Sequence, residues 1–210
     1  MEERFIYIIL TATQTRFARC IRYFGGLTYN HASVALDSEL TKMYSFARPQ
    51  QYSFFKGKLV RETLDRFTLG NRYKVPSMVF RIPVTEKQFH HIRHIIHKIY
   101  EDPEFMYNLL SVLSYPVTKG FSTYKAFSCT EFTGYILKYV GFPLSEKLWQ
   151  YRPDDFIDIL EDYSVFKGNL ADYMTVKTKS KHYFMSVSLY LFFSNLKAAL
   201  RIIGRTTVFR

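Results

Sequence analysis

Two cysteines in 210 residues are too few for a disulfide framework, and Cys20 and Cys129 lie too far apart for a paired-cysteine zinc spacing. Long apolar runs are also missing. The most apolar stretch, YFMSVSLYLFFSNL over 183–196, falls short of the roughly 20 residues a membrane-crossing helix needs. The opening MEERFIYIILTATQTRF mixes its charges and shows no small-residue cleavage site, so a first strand is expected there rather than a secretory leader. Repeats and low-complexity segments are absent. Acidic residues stop at Asp172, whereas Lys177, Lys179, Lys181, Lys197, Arg201, Arg205 and Arg210 follow it, so most of the +11 net charge sits in the tail. Such a tail suits an anionic surface, or it is a basic but inert end. No nucleic-acid motif accompanies it and its cations sit on no patterned recognition element, so nucleic acid is not the expected partner. The expected compartment is the cytoplasm, at a membrane surface if the tail binds lipid.

What is present is a core. Hydrophobic residues make up 48% of the chain and aromatics 18%, enough for one folded domain. RFIYIILTA (4–12) predicts a strand. TRFARCIRYFGG has helical spacing and ends on Gly25-Gly26, a helix stop, and Cys20 within it is expected to be a buried structural thiol. HASVALD and KMYSFAR flank the turn SELT as an antiparallel hairpin, and PSMVFRIPV is a further strand closed by Pro83. TEKQFHHIRHIIHKIYED predicts a helix capped by Thr85, EFMYNLLSVL a second helix, RPDDFIDILEDY a short one and YSVFKGNL a strand. Strands and helices mix without regular alternation, so the expected class is α+β with a largely antiparallel sheet. The expected division is a domain over 1–172 and a basic, aromatic segment over 173–210. That segment either packs on the domain through Tyr183, Phe184, Leu189, Leu191 and Phe192 or meets a membrane with them.

KAFSCTEFTGYILKYVGF (125–142) carries the chemistry. Ser128 and Glu131 have the S-x-x-E spacing of a capping box, which makes Cys129 the first residue of a helix. A thiol there sits beside free backbone N–H groups and the positive end of the helix dipole, which favours the reactive thiolate. The plain alternative is a small residue packed at a helix start. A catalytic thiol also needs a base. His90, His94 and His97 share one helical face opposite Phe89, Ile92, Ile96 and Ile99, the pattern of a solvated stripe rather than a metal site, and His182 stands in the basic tail. His31 is different. In strand alternation it shares a face with Ser33 and Ala35, and the partner strand adds Ser45 and Ala47, so a histidine stands on a floor of small residues. If the Cys129 helix packs on that floor, thiol and imidazole meet and Ser45 holds the far side of the ring.

NHASVALD, then KMYSFAR, then much later FSCTEFTGYIL resemble the circularly permuted branch of the NlpC-type papain-like fold, which includes YiiX-like proteins and, more distantly, the lecithin retinol acyltransferase group. The resemblance covers about residues 4 to 170 and has the order of that branch, histidine strand before cysteine helix. It implies Cys129 as nucleophile, His31 as base and Ser45 as the third polar residue. It further implies thiolate attack on an amide or ester carbonyl, a thioester intermediate, and transfer of the acyl group to water or another acceptor. The Cys129 N–H would form part of the oxyanion hole, and no cofactor is implied. The expected partner is a small-molecule, lipid or peptide-like acyl substrate. The rival expectation is a papain-like binding module without turnover.

Overall fold

The computed structural model describes residues 3–53, 55–70, 72–176, 179–180, 183–184 and 189–208. The elements run β1 (Arg4–Thr11), α1 (Arg16–Gly25), β2 (His31–Ala35), β3 (Met43–Ala47), β4 (Lys58–Arg61), α2 (Leu64–Thr68), β5 (Pro76–Val84), α3 (Glu86–Glu101), β6 (Met106–Tyr107), α4 (Leu109–Thr118), β7 (Ala126–Phe127), α5 (Cys129–Tyr139), α6 (Asp155–Ile159), β8 (Ser164–Asn169), α7 (Leu170–Tyr173) and α8 (Leu189–Val208). Six strands form one sheet in the order β4-β3-β2-β1-β5-β8, every neighbouring pair antiparallel, and β6 and β7 form a short parallel pair. The chain is therefore α+β around an antiparallel sheet.

The sheet is covered on both faces, which explains why FIYIIL lacks polar alternation. Ile6, Ile8 and Leu10 join Ile92, Ile96 and Ile99 of α3 and Phe132, Ile136 and Leu137 of α5 in one core. Tyr7 and Ile9, pointing the other way, join Leu64 and Phe67 of α2 and Leu170 of α7 in a second. Helix α5 takes the first face, where Ala32, Val34 and Phe46 await it. The small-residue face of His31, Ser33 and Ala35, where this helix was expected, is filled by α2 instead. Phe132, Ile136 and Leu137 bury more apolar surface against the Ala32/Val34/Phe46 side than a floor of small polar residues would allow.

Other expectations also shift. Cys20 lies in α1 but is exposed, because that helix turns Ala18 inward and Cys20 outward. EFMYNLLSVL begins as strand β6, and only the part from Leu109 is helical. Strand β5, by contrast, covers the expected PSMVFRIPV from Pro76 to Val84. The segment after Asp172 packs on the domain at several points. Ser180 N–H donates to Asp65 (2.8 Å), the Tyr183 carbonyl accepts from Gln51 N–H (2.9 Å), and Asn195 Oδ1 accepts from Phe55 N–H (3.0 Å). Ala198 and Ile202 of α8 are buried with Met106 and Ala126. His182 lies outside the described residues, as do the side chains of Leu189, Leu191 and Phe192. Among the described residues no helix is long and apolar enough to cross a membrane.

Candidate active site

Ser128 caps α5 by accepting from the Glu131 N–H (3.0 Å), and the Glu131 carboxylate reaches back to the Ser128 N–H, so the capping box is complete. That box fixes Cys129 as the first helical residue. Strands β2 and β3 pair only at Val34–Tyr44 and Ala35–Met43, so they part toward His31, the first residue of β2. The sulfur of Cys129 lies there beside the His31 ring and the backbone N–H groups of Ala32 and Thr130, close enough for all three to favour its charged form. Thiol and imidazole therefore meet at the open end of the β2–β3 pair rather than across a shared face.

The far side of the ring is held twice. His31 Nε2 lies 3.0 Å from Ser45 Oγ and 3.1 Å from Glu62 Oε1, and Ser45 Oγ donates to the same Glu62 oxygen at 2.5 Å. Glu62 Oε2 accepts from Arg66 Nε at 2.7 Å, and Arg66 in turn donates to the Arg48 carbonyl (2.8 Å) and lies under the Tyr183 ring (4.5 Å). Nε2 thus donates toward the carboxylate, which leaves Nδ1 for the thiol. Cys129, His31 and Glu62 are 5%, 9% and 2% exposed, so these charges interact with little water between them.

Burial opposes charge on all three groups, and their neighbours outweigh it. Burial pulls the His31 pKa down, but the Cys129 and Glu62 charges and hydrogen bonds raise it to about 10. Burial pushes the Cys129 thiol up, but His31 and the two backbone N–H groups bring it below the ordinary thiol value. Glu62, against the same burial penalty, is lowered to about 2 by Arg66 and His31. These neighbours shift the site toward a thiolate beside an imidazolium beside a carboxylate.

A groove of about 500 Å³ opens onto Cys129 and His31. Its walls include Ile21, Phe24, Leu109, Leu113, Pro116 and Trp149, so it is mainly apolar. Tyr107 lines it too. Its N–H donates to the Gly57 carbonyl (2.8 Å), and a Cβ at Gly57 would come within 2.3 Å of Tyr107 Cβ, so only glycine permits that approach. Burial and the nearby Cys129 charge raise the Tyr107 phenol, which keeps it a proton donor.

The structure brings together Cys129, His31 and Ser45, all three readable from sequence. Glu62, Arg66 and Tyr107 were missed. KLVRET (58–63) forms a strand of only four residues, and Glu62 follows it outside any alternating run. The one available signal was an acid two residues past Val60, and the charged Arg61, Asp65 and Arg66 around it hide that signal. The α3 histidines face solvent as expected. Among the described residues no group of three His, Cys, Asp or Glu side chains could hold a metal ion. No family model, no curated protein and no solved structure matches the chain.

Proposed function

We propose that the protein is a papain-like thiol hydrolase or acyltransferase acting on an ester or amide with an apolar acyl part. One observation carries the reading: a buried thiol at a helix start stands beside a buried histidine whose other nitrogen faces a carboxylate. The Cys129 thiolate attacks the carbonyl carbon. The oxyanion that forms takes hydrogen bonds from the Cys129 N–H, which as a first-turn group has no acceptor inside its helix, and from the Tyr107 hydroxyl. Imidazolium His31 passes its proton to the leaving alcohol or amine, and the carbon–heteroatom bond breaks to leave a thioester. Neutral His31 then takes a proton from water or another acceptor, which attacks the thioester and restores the thiolate. Ser45 and Glu62 keep the ring turned for both transfers. The order of the histidine strand and the cysteine helix, and the antiparallel sheet between them, support the permuted NlpC-type architecture. The apolar groove favours an acyl chain over a polar glycopeptide.

The test is a medium-chain p-nitrophenyl ester. Intact protein should gain the mass of the acyl group on Cys129 and release nitrophenolate, and Cys129→Ala should do neither. An intact protein that binds the ester without acylation or release would make this a binding module.

A further inference from the structure

We propose that the rim of the groove, built by the outer faces of α1 and α4, docks on an anionic membrane so that an acyl chain enters the groove from the lipid. This deepens the acyl-transfer reading, yet the docking itself does not need the thiol chemistry.

Large apolar side chains stand open to solvent there: Tyr23 is 83% exposed, Phe24 82% and Val117 88%. Tyr23 and Phe24 stack edge to face (5.3 Å), and Phe24 and Leu113 extend into the groove that ends at Cys129. An apolar path thus runs from the surface to the sulfur. Isolated exposed apolar residues are ordinary, but several gathered at the mouth of an apolar groove mark a binding surface.

Charge selects the occupant. No acidic residue occurs from Ala12 to Asn30 or from Phe105 to Thr130, the two segments that form the rim. Arg16, Arg19 and Tyr23 follow one another at i, i+3, i+7 and are all exposed, so cations and an aromatic ring share one helical stripe. Lys119 is exposed at the end of α4 and also lines the groove. The acids beside the groove are engaged: Glu62, which lines it, is held by His31 and Arg66. Asp154 accepts from the Thr28 and Tyr29 N–H groups, and Asp155 pairs with Arg152. Aromatic and aliphatic tips bounded by Arg and Lys fit the interfacial zone of an anionic bilayer. Helix α8 exposes Leu196 and Leu200 beside Lys197 and Arg201, but its buried side anchors on β6 and β7 and none of its described side chains lines the groove.

Trp149, the chain's only tryptophan, lines the groove and supplies a spectroscopic probe. The full chain carrying Cys129→Ala is mixed with phosphatidylcholine vesicles with and without phosphatidylglycerol. Co-sedimentation with the phosphatidylglycerol vesicles, release at high salt and a blue shift of Trp149 emission are expected. A Tyr23→Ser/Phe24→Ser/Val117→Ser variant should melt at the same temperature and partition at least about tenfold more weakly. The proposal is overturned if the chain ignores phosphatidylglycerol vesicles, or if this variant binds them equally well. Loss of binding in Leu196→Ser/Leu200→Ser alone would overturn it in favour of α8. A chain that self-associates through the rim, and becomes monomeric in the Tyr23/Phe24/Val117 variant without losing vesicle binding, would assign the rim to a second copy. Docking by a protein that forms no acyl adduct at intact Cys129 would keep this inference and remove the thiol chemistry, and the reverse pattern would do the opposite.

Discussion

Helices α3 and α5 pack on the same face of the sheet and begin with the same device. Thr85 and Gln88 close a capping box on α3, and Ser128 and Glu131 close one on α5. What differs is depth. At the α3 start, Thr85 and Glu86 are exposed, and a hydrogen bond from Arg4 lowers the Glu86 pKa. At the α5 start, Ser128, Cys129 and Glu131 are all buried, and burial raises Glu131 to about 7. The histidines divide in the same way. His90, His91, His94 and His97 decorate the outer side of α3, while one buried histidine meets the α5 thiol. The same local code produces a solvated helix in one place and a reactive centre in the other. The difference lies in what surrounds the helix start, because low dielectric magnifies each charge and backbone N–H placed there.

The strongest way to break the contrast is to remove the buried histidine. Cys129 in the intact protein should be alkylated by iodoacetamide at pH 6–7, where an ordinary thiol is mostly protonated. His31→Ala should slow that reaction about a hundredfold and ester turnover about a thousandfold. Exposed Cys20, labelled in the same sample and resolved by peptide mass spectrometry, should keep its rate. An unchanged Cys129 rate would mean that the helix start alone activates the thiol.

Next in size is the third group. Glu62→Gln keeps the shape but removes the charge that faces His31 and Arg66, leaving Arg66 buried without its carboxylate. Turnover should fall about a hundredfold, and stability at pH 7 should fall by about 3 kcal/mol. The pH dependence has a definite sign. A carboxylate lowered from 4.5 to about 2 stabilises the fold above pH 4.5, and that stability is lost as pH falls toward 2. Urea titrations of Glu62→Gln should show less loss across that window than those of the parent. Ser45→Ala should cost about tenfold in turnover, because Glu62 still holds the ring. A larger loss for Ser45→Ala than for Glu62→Gln would reverse the order of the two supports.

Glu131→Gln converts the α5 box to the residue that α3 already uses. A carboxyl raised from 4.5 to about 7 contributes stability below pH 4.5 and loses it as pH rises through 7. The parent should therefore become less stable between pH 5 and 8, and Glu131→Gln should remove that slope. At pH 8 the variant should be more stable by on the order of 2 kcal/mol. Parallel stability curves for the two proteins would show that Ser122 and Ser128 stabilise the charged carboxylate well enough to offset its burial.

The ease of reading each feature from sequence followed its range. Capping boxes are local, so Ser128, Glu131 and Thr85 could be placed from spacing alone, and Cys129 with them. The hairpin that carries His31 and Ser45 was equally legible from alternation. Glu62 was not, because it comes to His31 from 31 residues away at the end of a four-residue strand with no pattern of its own. The face chosen by α5 was misread for a related reason. Strand alternation tells which residues share a side, but the side a helix covers depends on competition among all helices, and α2, five residues long, is too short to show a period. Helix α8 (Leu189–Val208) takes in the end of the apolar run over 183–196, whose composition shows no clear helical period.

The smallest effect should come from the other side of the comparison. Four histidines crowd α3, which by count alone would make it the more conspicuous site. His90 pairs with Glu86 at 2.7 Å, but both side chains are about half exposed and Glu86 also binds Arg4, so the pair is redundant and screened by solvent. His91 stacks on Tyr139 at 4.5 Å across the junction with α5, and alanine there removes one partly exposed contact. His94 and His97 point to water. A His90→Ala/His94→Ala/His97→Ala variant should therefore keep the parent's ester turnover and Cys129 alkylation rate, and its melting temperature should stay within experimental error. His91→Ala should lower the melting temperature slightly without changing either rate. If the triple variant lost activity while remaining folded, the exposed stripe would be part of the substrate path, and depth of burial would no longer separate the two helices.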